Sequence, residues 1–223
     1  MIHKGPASDE TFAIVVIGDD FFSGDLSFKR IVEEKVFPDE FIETINIELL
    51  TPLQIVVSTS GMLLDINPER ITITTSDASQ KYPLRDYCFN LLSAFSLENK
   101  IQQIGFNFTR RIYCHDQKEW HRVGHKVMPK TIWEKIYEGG SDKVNFGLHG
   151  YAVKIDDPKR KYSGYCQIRV SPMKDNSLEV LVNEHLEYKK ILDEDKFDSI
   201  FNTEWDFTLR ASIALMDKFE GEV

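Results

Sequence analysis

Residues 43–76 read ETINIELLTPLQIVVSTSGMLLDINPERITITTS, and the reading of this stretch decides the fold. It holds four short segments rich in β-branched and apolar residues, separated by Thr51-Pro52, Ser60-Gly61 and Asn67-Pro68. Runs of this length with turn residues between them predict an antiparallel meander, because such turns are too short to carry a crossover helix.

A helix is expected after the meander. Pro83 suits a first turn, and Leu84, Tyr87, Cys88, Leu91, Leu92 and Phe95 form one stripe. In KIQQIGFNFTRRIYCH, Ile104, Phe106 and Phe108 alternate with Gly105, Asn107 and Thr109, the signature of a strand with one buried face. A helical zone from Lys118 to Tyr137 is punctuated by Gly124 and Pro129, which predicts two pieces, with Trp133 and Ile136 on the second. Strands follow near Val144 to Ile155, Ser163 to Ser171 and Leu178 to Tyr188. A long closing helix then carries Phe197, Phe201, Trp205, Leu209, Ile213 and Met216, with Asp193 or Asp195 available to cap it. Upstream, Phe12 to Ile17 predicts a strand, and Phe28 to Phe37 a short helix ended by Pro38.

The expectation is a single α+β domain over residues 1–223: a curved antiparallel sheet built of two meander-plus-helix halves, helices packed on one face, and a long C-terminal helix. Residues 41–97 and 144–219 repeat the same order of elements, a pattern compatible with pseudo-duplication.

Composition narrows the function. A formal charge of −9 and a pI near 5.2 create a field that repels phosphate polyanions, so nucleic acid is not the expected partner. Arg110-Arg111 and Lys159, Arg160, Lys161 are the places where local basic patches could form. Three cysteines, Cys88, Cys114 and Cys166, are widely spaced and fit a reducing cytoplasm better than a disulfide framework. The N-terminus has no apolar signal core and no run is long enough to span a membrane, which leads to the expectation of a cytoplasmic protein.

The segment CHDQKEWHRVGH, Cys114 to His125, is the strongest candidate for metal chemistry. On a helix His121 and His125 stand one turn apart and could share zinc or another divalent ion. Cys114, His115 or His185 could supply a third ligand, and Asp116 a base. Arg122 stands where a hydrolytic HExxH motif has its glutamate, and Gly124 interrupts the turn, so a structural seam between helix and sheet is the favoured reading. Asp19-Asp20 after the first strand resembles a magnesium-binding pair, but serves equally as a turn. The sequence contains no GxSxG elbow, no GxxxxGK[ST] loop and no GxGxxG turn.

Asn107, Arg110, Arg111, Asn183 and His185 are the candidate binding residues, five polar groups on two strands that could converge on one sheet. Cross-strand pairing on a solvated face is the plainer reading of the same five. Phe21, Phe22, Phe37 and Phe41, rimmed by acidic residues, are a candidate interaction patch or a second core layer.

The segments IQQIGFNFTRR, EWHRVGHKVMPKTIWEKIY and LEVLVNEHLEY together resemble a loosely defined group of uncharacterised bacterial and phage-borne proteins, over about residues 53–188. That resemblance implies an α+β fold and a setting on mobile or defence-associated elements, and it assigns no catalytic residue. It makes Gly105, Asn107, Trp120, Pro129, Trp133, Asn183 and His185 fold-defining first.

The leading expectation is therefore a non-enzymatic protein-binding or regulatory module, acting on a protein partner or as a homo-oligomer. The alternatives are a metal-dependent hydrolase or nuclease using His115, His121 and His125, and a small-ligand binder with Phe201 and Trp205 lining a pocket between sheet and C-terminal helix.

Overall fold

A computed structural model describes residues 9–59, 61–129, 149–158, 160–191 and 195–222. It is an α+β structure with one nine-stranded antiparallel sheet among the described residues, in the order β2-β3-β4-β5-β1-β6-β9-β8-β7. The strands are β1 (Glu10–Gly18), β2 (Asn46–Thr51), β3 (Gln54–Thr59), β4 (Met62–Asn67), β5 (Arg70–Thr75), β6 (Ile101–Tyr113), β7 (Tyr151–Ile155), β8 (Gly164–Pro172) and β9 (Ser177–Leu186). The helices are α1 (Phe28–Glu33), α2 (Asp39–Ile42), α3 (Lys81–Ala94), α4 (Gln117–Val127), α5 (Lys196–Ser199) and α6 (Trp205–Glu222). A π turn, Ile200–Glu204, joins α5 to α6.

The meander predicted over residues 43–76 is present as β2 to β5. The sheet order then shows why the topological repeat is larger than the two segments 41–97 and 144–219. Each half begins with its own long strand, β1 or β6, and these pair with each other at the middle of the sheet. The last meander strand of each half returns beside that strand, β5 against β1 and β9 against β6.

Alternation then sorts the side chains. Phe12, Ile14 and Val16 of β1 lie opposite Phe108, Phe106 and Ile104 of β6, and all six are buried. Helix α3 covers β1 and β5 with Leu84, Cys88 and Leu91, while α6 lies over β6 and β9. Trp205 on α6 meets the rings of Phe106 at 5.1 Å and Phe108 at 5.4 Å, and Phe201 reaches Phe89 at 5.9 Å. Phe197, Phe201, Trp205, Leu209 and Ile213 follow a strict four-residue spacing, which drifts around an ordinary α-helix of 3.6 residues per turn. The π turn takes more residues per revolution and counter-rotates the stripe, keeping it on the sheet.

At the end of β1 the chain must turn sharply. A Cβ on Gly18 would lie 2.5 Å from the Lys100 carbonyl oxygen and 2.6 Å from the Phe21 ring, so only glycine lets Phe21 fold back into the core. Phe21 and Phe37 are buried, Phe22 and Phe41 pack against the same core, and Phe37 and Phe41 both meet Tyr87 of α3 edge-on. These four aromatics are a core layer, which removes the candidate interaction patch and with it one motive for the protein-binding reading. No helix among the described residues is long and apolar enough to cross a membrane.

Arg110 fastens the C-terminal helix to the sheet. Its guanidinium donates to Glu10 at 2.7–2.8 Å and to Asp217 of α6 at 2.6 Å, with Glu220 at 3.7 Å. The Arg110 side chain is only 13% exposed whereas Asp217 is 52% exposed, so the cluster lies between a surface pair and a buried one. Arg110→Met, which leaves three carboxylates around an apolar stem, is expected to cost about 2 kcal/mol in urea unfolding. Arg111→Met, on the opposite face, should stay within about 0.5 kcal/mol.

Candidate functional site

Helices α3 and α6 cover one face of the sheet and leave the opposite face uncovered by either. On this open face the register aligns two rows of side chains. Asn107, Asn183 and Gln167 lie side by side across β6, β9 and β8. In the adjoining row Gly105, His185 and Tyr165 do the same, with Val15 of β1 beside Gly105.

Of the five residues expected to converge, Asn107, Arg111, Asn183 and His185 share this face. Arg110 does not, because successive strand residues point to opposite sides and Arg110 is locked onto α6. Arg111 stands at the far end of the strand, opposite Glu179 and 3.5 Å from Asp175. The compact set is Asn107, Asn183 and His185. Gly105, Tyr165 and Gln167 complete it, and sequence reading passed over those three. The alternation in GYCQIRVSP was the available signal for Tyr165 and Gln167.

The His185 ring stacks on Tyr165 at 4.5 Å with an interplanar angle of 25°, and the Lys154 ammonium lies 4.2 Å from the centre of the Tyr165 ring. Burial holds the His185 pKa below its ordinary value, an effect that Glu187 opposes and that the cations Lys154 and Arg160 reinforce.

The Asn107 and Asn183 side chains tip toward Gly105. A Cβ placed on that glycine would lie 3.5 Å from Asn183 Oδ1, 3.6 Å from Asn107 Nδ2 and 3.8 Å from the Val15 carbonyl oxygen. Asn183 Oδ1 is buried and accepts no hydrogen bond. An unmet acceptor of this kind costs about 1–3 kcal/mol.

At one margin of the same face a cavity of about 500 Å³ opens between the ends of β3, β4, β5 and β1. Hydroxyls dominate its walls, among them Thr11, Ser58, Thr74 and Ser76, and no ionisable side chain among the described residues lines it. The space between sheet and C-terminal helix is filled instead, since Phe201 and Trp205 are fully buried among core rings.

The histidine-rich segment forms a helix start. Asp116 at the N-cap accepts from the Glu119 amide at 2.8 Å, and the Glu119 carboxylate reaches back to the His115 amide at 2.7 Å, a reciprocal capping box. Both carboxyls are consequently held below the usual carboxylate range by these backbone donors. Trp120 donates its indole N–H to the Ser177 carbonyl at 3.0 Å and Val123 is buried, which seats α4 against the start of β9. The helix runs through Gly124, so His121 and His125 do stand one turn apart, and both are exposed. Among the described residues no group of three or more His, Cys, Asp or Glu is placed to hold a metal ion. Cys114 is buried beneath the helix start and His185 belongs to the open face. Of the Asp19-Asp20 pair, Asp19 accepts from Gln102 and Lys189, while Asp20 takes a left-handed turn conformation with φ of 46°. Trp133 and Ile136 lie outside the described residues.

Two outcomes follow. Asn183→Leu removes the unmet acceptor and keeps the volume, so it should raise stability by about 1 kcal/mol in chemical denaturation. For His185, the folded state resists protonation while the unfolded chain titrates near its ordinary 6.5. Its contribution is present above that pH and is lost as the pH falls toward the lowered folded value. Urea midpoints measured from pH 7.5 down to 5 should therefore fall more steeply for the parent than for His185→Phe.

No protein-family model matches the chain, and no curated protein matches it in sequence.

Proposed function

We propose that the protein is a non-enzymatic binding module that contacts another protein through the open face of its sheet. The observation that carries this reading is the charge distribution of that face. The chain as a whole has a formal charge of −9. Yet the middle of the face presents Thr11, Ala13 and Val15 of β1, Thr72 and Thr74 of β5, Asn107 and Thr109 of β6, and Leu181 and Asn183 of β9. Every one is uncharged and half-buried. Charged groups such as Arg70, Arg111 and Lys154 stand toward its periphery.

Depletion of charge at the centre with charge at the rim is the composition of a protein interface. A nucleic-acid surface would need cations across the patch to meet phosphates, and the net field opposes it. All three cysteines are free, which supports a reducing, cytoplasmic setting. A bacterial or phage origin on mobile or defence-associated elements, as the resemblance implies, belongs to the same reading.

The test is affinity capture with the tagged full chain. A stoichiometric protein partner should be retained by the parent and by Arg210→Glu on the exposed side of α6. It should be lost at least about tenfold with Ala13→Arg or Leu181→Arg, a loss of about 1.4 kcal/mol or more. Thermal melts of the variants separate lost binding from lost folding. Equal retention by all four proteins would overturn the reading.

A further inference from the structure

Helix α4 has two unlike halves. At 3.6 residues per turn, Gln117, Lys118, His121, Arg122, His125 and Lys126 fall within one half of its circumference, and all six are exposed. None of them carries a negative charge at any pH. The other half holds Trp120 and Val127, which pack against the core, and the buried Val123. Glu119, the one carboxylate within the helix, falls on that inward half and is engaged by the His115 amide. In a chain with 36 acidic and 27 basic side chains, an outward half without a single acid is a local inversion of the charge.

Helix stability does not account for this pattern. Lys118 with Arg122, and Arg122 with Lys126, are like charges at i and i+4, a spacing that destabilises a helix. Lys118 also stands in the first turn, where the helix dipole disfavours a cation. On other elements cations are matched by acids of the chain's own surface: Arg30 by Asp25 and Glu34, Lys35 by Asp39, Lys189 by Asp19 and Lys190 by Glu187. Lys118 makes no hydrogen bond or ion pair among the described residues. Positive charge kept on one stripe against the preference of the helix itself is the pattern expected where a surface serves something outside the chain.

The stripe from Lys118 to Lys126 is about 12 Å long. At physiological salt its pull reaches about 8 Å, so it selects charges that come into contact with it. An extended polyanion or an anionic membrane would also have to lie against the acidic remainder of the chain. A second copy is a poor occupant, because the acids of its α1 and α2 region, Glu33, Glu34 and Asp39, are already paired with Lys29, Arg30 and Lys35. A short Asp- or Glu-rich segment of another protein fits, since carboxylates accept from ammonium and guanidinium groups alike. From this charge arrangement we infer that the outward half of α4 docks an acidic segment of a partner protein, with Lys118, Arg122 and Lys126 meeting its carboxylates. None of these residues belongs to the open sheet face, so the two readings stand or fall separately.

The experiment is a titration of the isotopically labelled full chain with a blocked peptide of alternating Glu and Ser at physiological salt, followed by NMR at the backbone amides of α4. A peptide of alternating Gln and Ser, an oligothymidylate and phosphatidylserine vesicles serve as comparison probes. Saturable shifts on α4 with the Glu peptide, about tenfold weaker with the Gln peptide, are expected. Lys118→Glu combined with Arg122→Glu should weaken the Glu peptide by about tenfold and gain binding of a Lys and Ser peptide, while Arg210→Glu on α6 should change neither. Amide shifts of the variants without peptide report whether α4 is retained, and the comparison of Glu with Gln peptide on the parent chain needs no variant. Four results would each overturn the proposal: no saturable shift, an equal response to the Gln peptide, tighter binding of oligothymidylate or vesicles, which would make the stripe a phosphate surface, or α4 shifts that grow with the protein's own concentration, which would make it a contact between copies. A null result here leaves partner capture by the open face standing, and loss of that capture leaves the peptide titration standing.

Discussion

Everything in this structure depends on the antiparallel pairing of β1 with β6. The pair sets Phe12, Ile14 and Val16 opposite Phe108, Phe106 and Ile104, and the α6 indole of Trp205 stands over two of those rings. Each strand also nucleates its own half of the sheet, with β5 returning to β1 and β9 to β6. The two meanders have no other contact line through which to form one sheet. Burying three large residues per strand against a shared helical layer contributes about 1.5–3 kcal/mol for each aromatic or branched side chain. That concentration of apolar area at the seam is what frees the opposite surface of the same strands from a packing role. Alternation makes the two consequences inseparable, because every residue committed to the core on β1 or β6 leaves its neighbour facing outward.

On the outward side the residue choices run against maximum stability. Gly105 gives up side-chain contacts at the centre of the longest strand, and Asn183 holds a buried oxygen with no donor. Stability sacrificed at one place in an otherwise consistent fold is the pattern expected where a surface is used for something else. The hydroxyl-lined cavity at the margin of the same face extends the uncharged character from Asn107 to Thr11, Ser58 and Thr74. Thr11 and Thr74 belong to both the cavity wall and the face, so a partner lying across β1 would reach both features.

The fold was legible wherever one periodicity ruled. The meander of residues 43–76, the strand around Phe106 and the stripe of α3 each follow from local pattern, and each stands where its pattern predicts. The order β5-β1-β6-β9 was not legible, because pairing between segments remote in sequence leaves no local mark; the repeat was therefore drawn without its first strands. Whether the four N-terminal aromatics form a patch or a core layer was left open for the same reason, since the contacts of Phe37 and Phe41 are made with Tyr87, far along the chain. In the candidate site Asn107, Asn183 and His185 were singled out by residue type and stand in adjoining rows of one face, whereas Arg110 was included although strand parity already placed it with Phe106 and Phe108 on the buried side. In the histidine segment the favoured reading, a structural seam between helix and sheet, describes what the chain does there. Its ordering groups are the capping carboxylates and an indole, and the imidazoles face outward.

The edge strand β2 explains why the proposed partner is placed on the face rather than along this edge of the sheet. Ile47, Leu49 and Leu50 are 41–51% exposed there, and Leu53 in the turn that follows is 67% exposed, an apolar edge of the kind that templates strand addition. The pairing of β2 with β3 slips between Ile47 and Leu49, so the outward N–H and C=O groups lose the even spacing that an added strand requires. Glu48 at that slip accepts from Asn46 and Ser58, both at 2.8 Å, which pins a charge at the middle of the edge. A bulge and an anchored carboxylate are two of the devices by which sheets discourage edge pairing. With one face buried under α3 and α6 and this edge interrupted, the surface that keeps both regular geometry and uncharged, half-buried side chains is the open face around Gly105, Asn107 and Asn183.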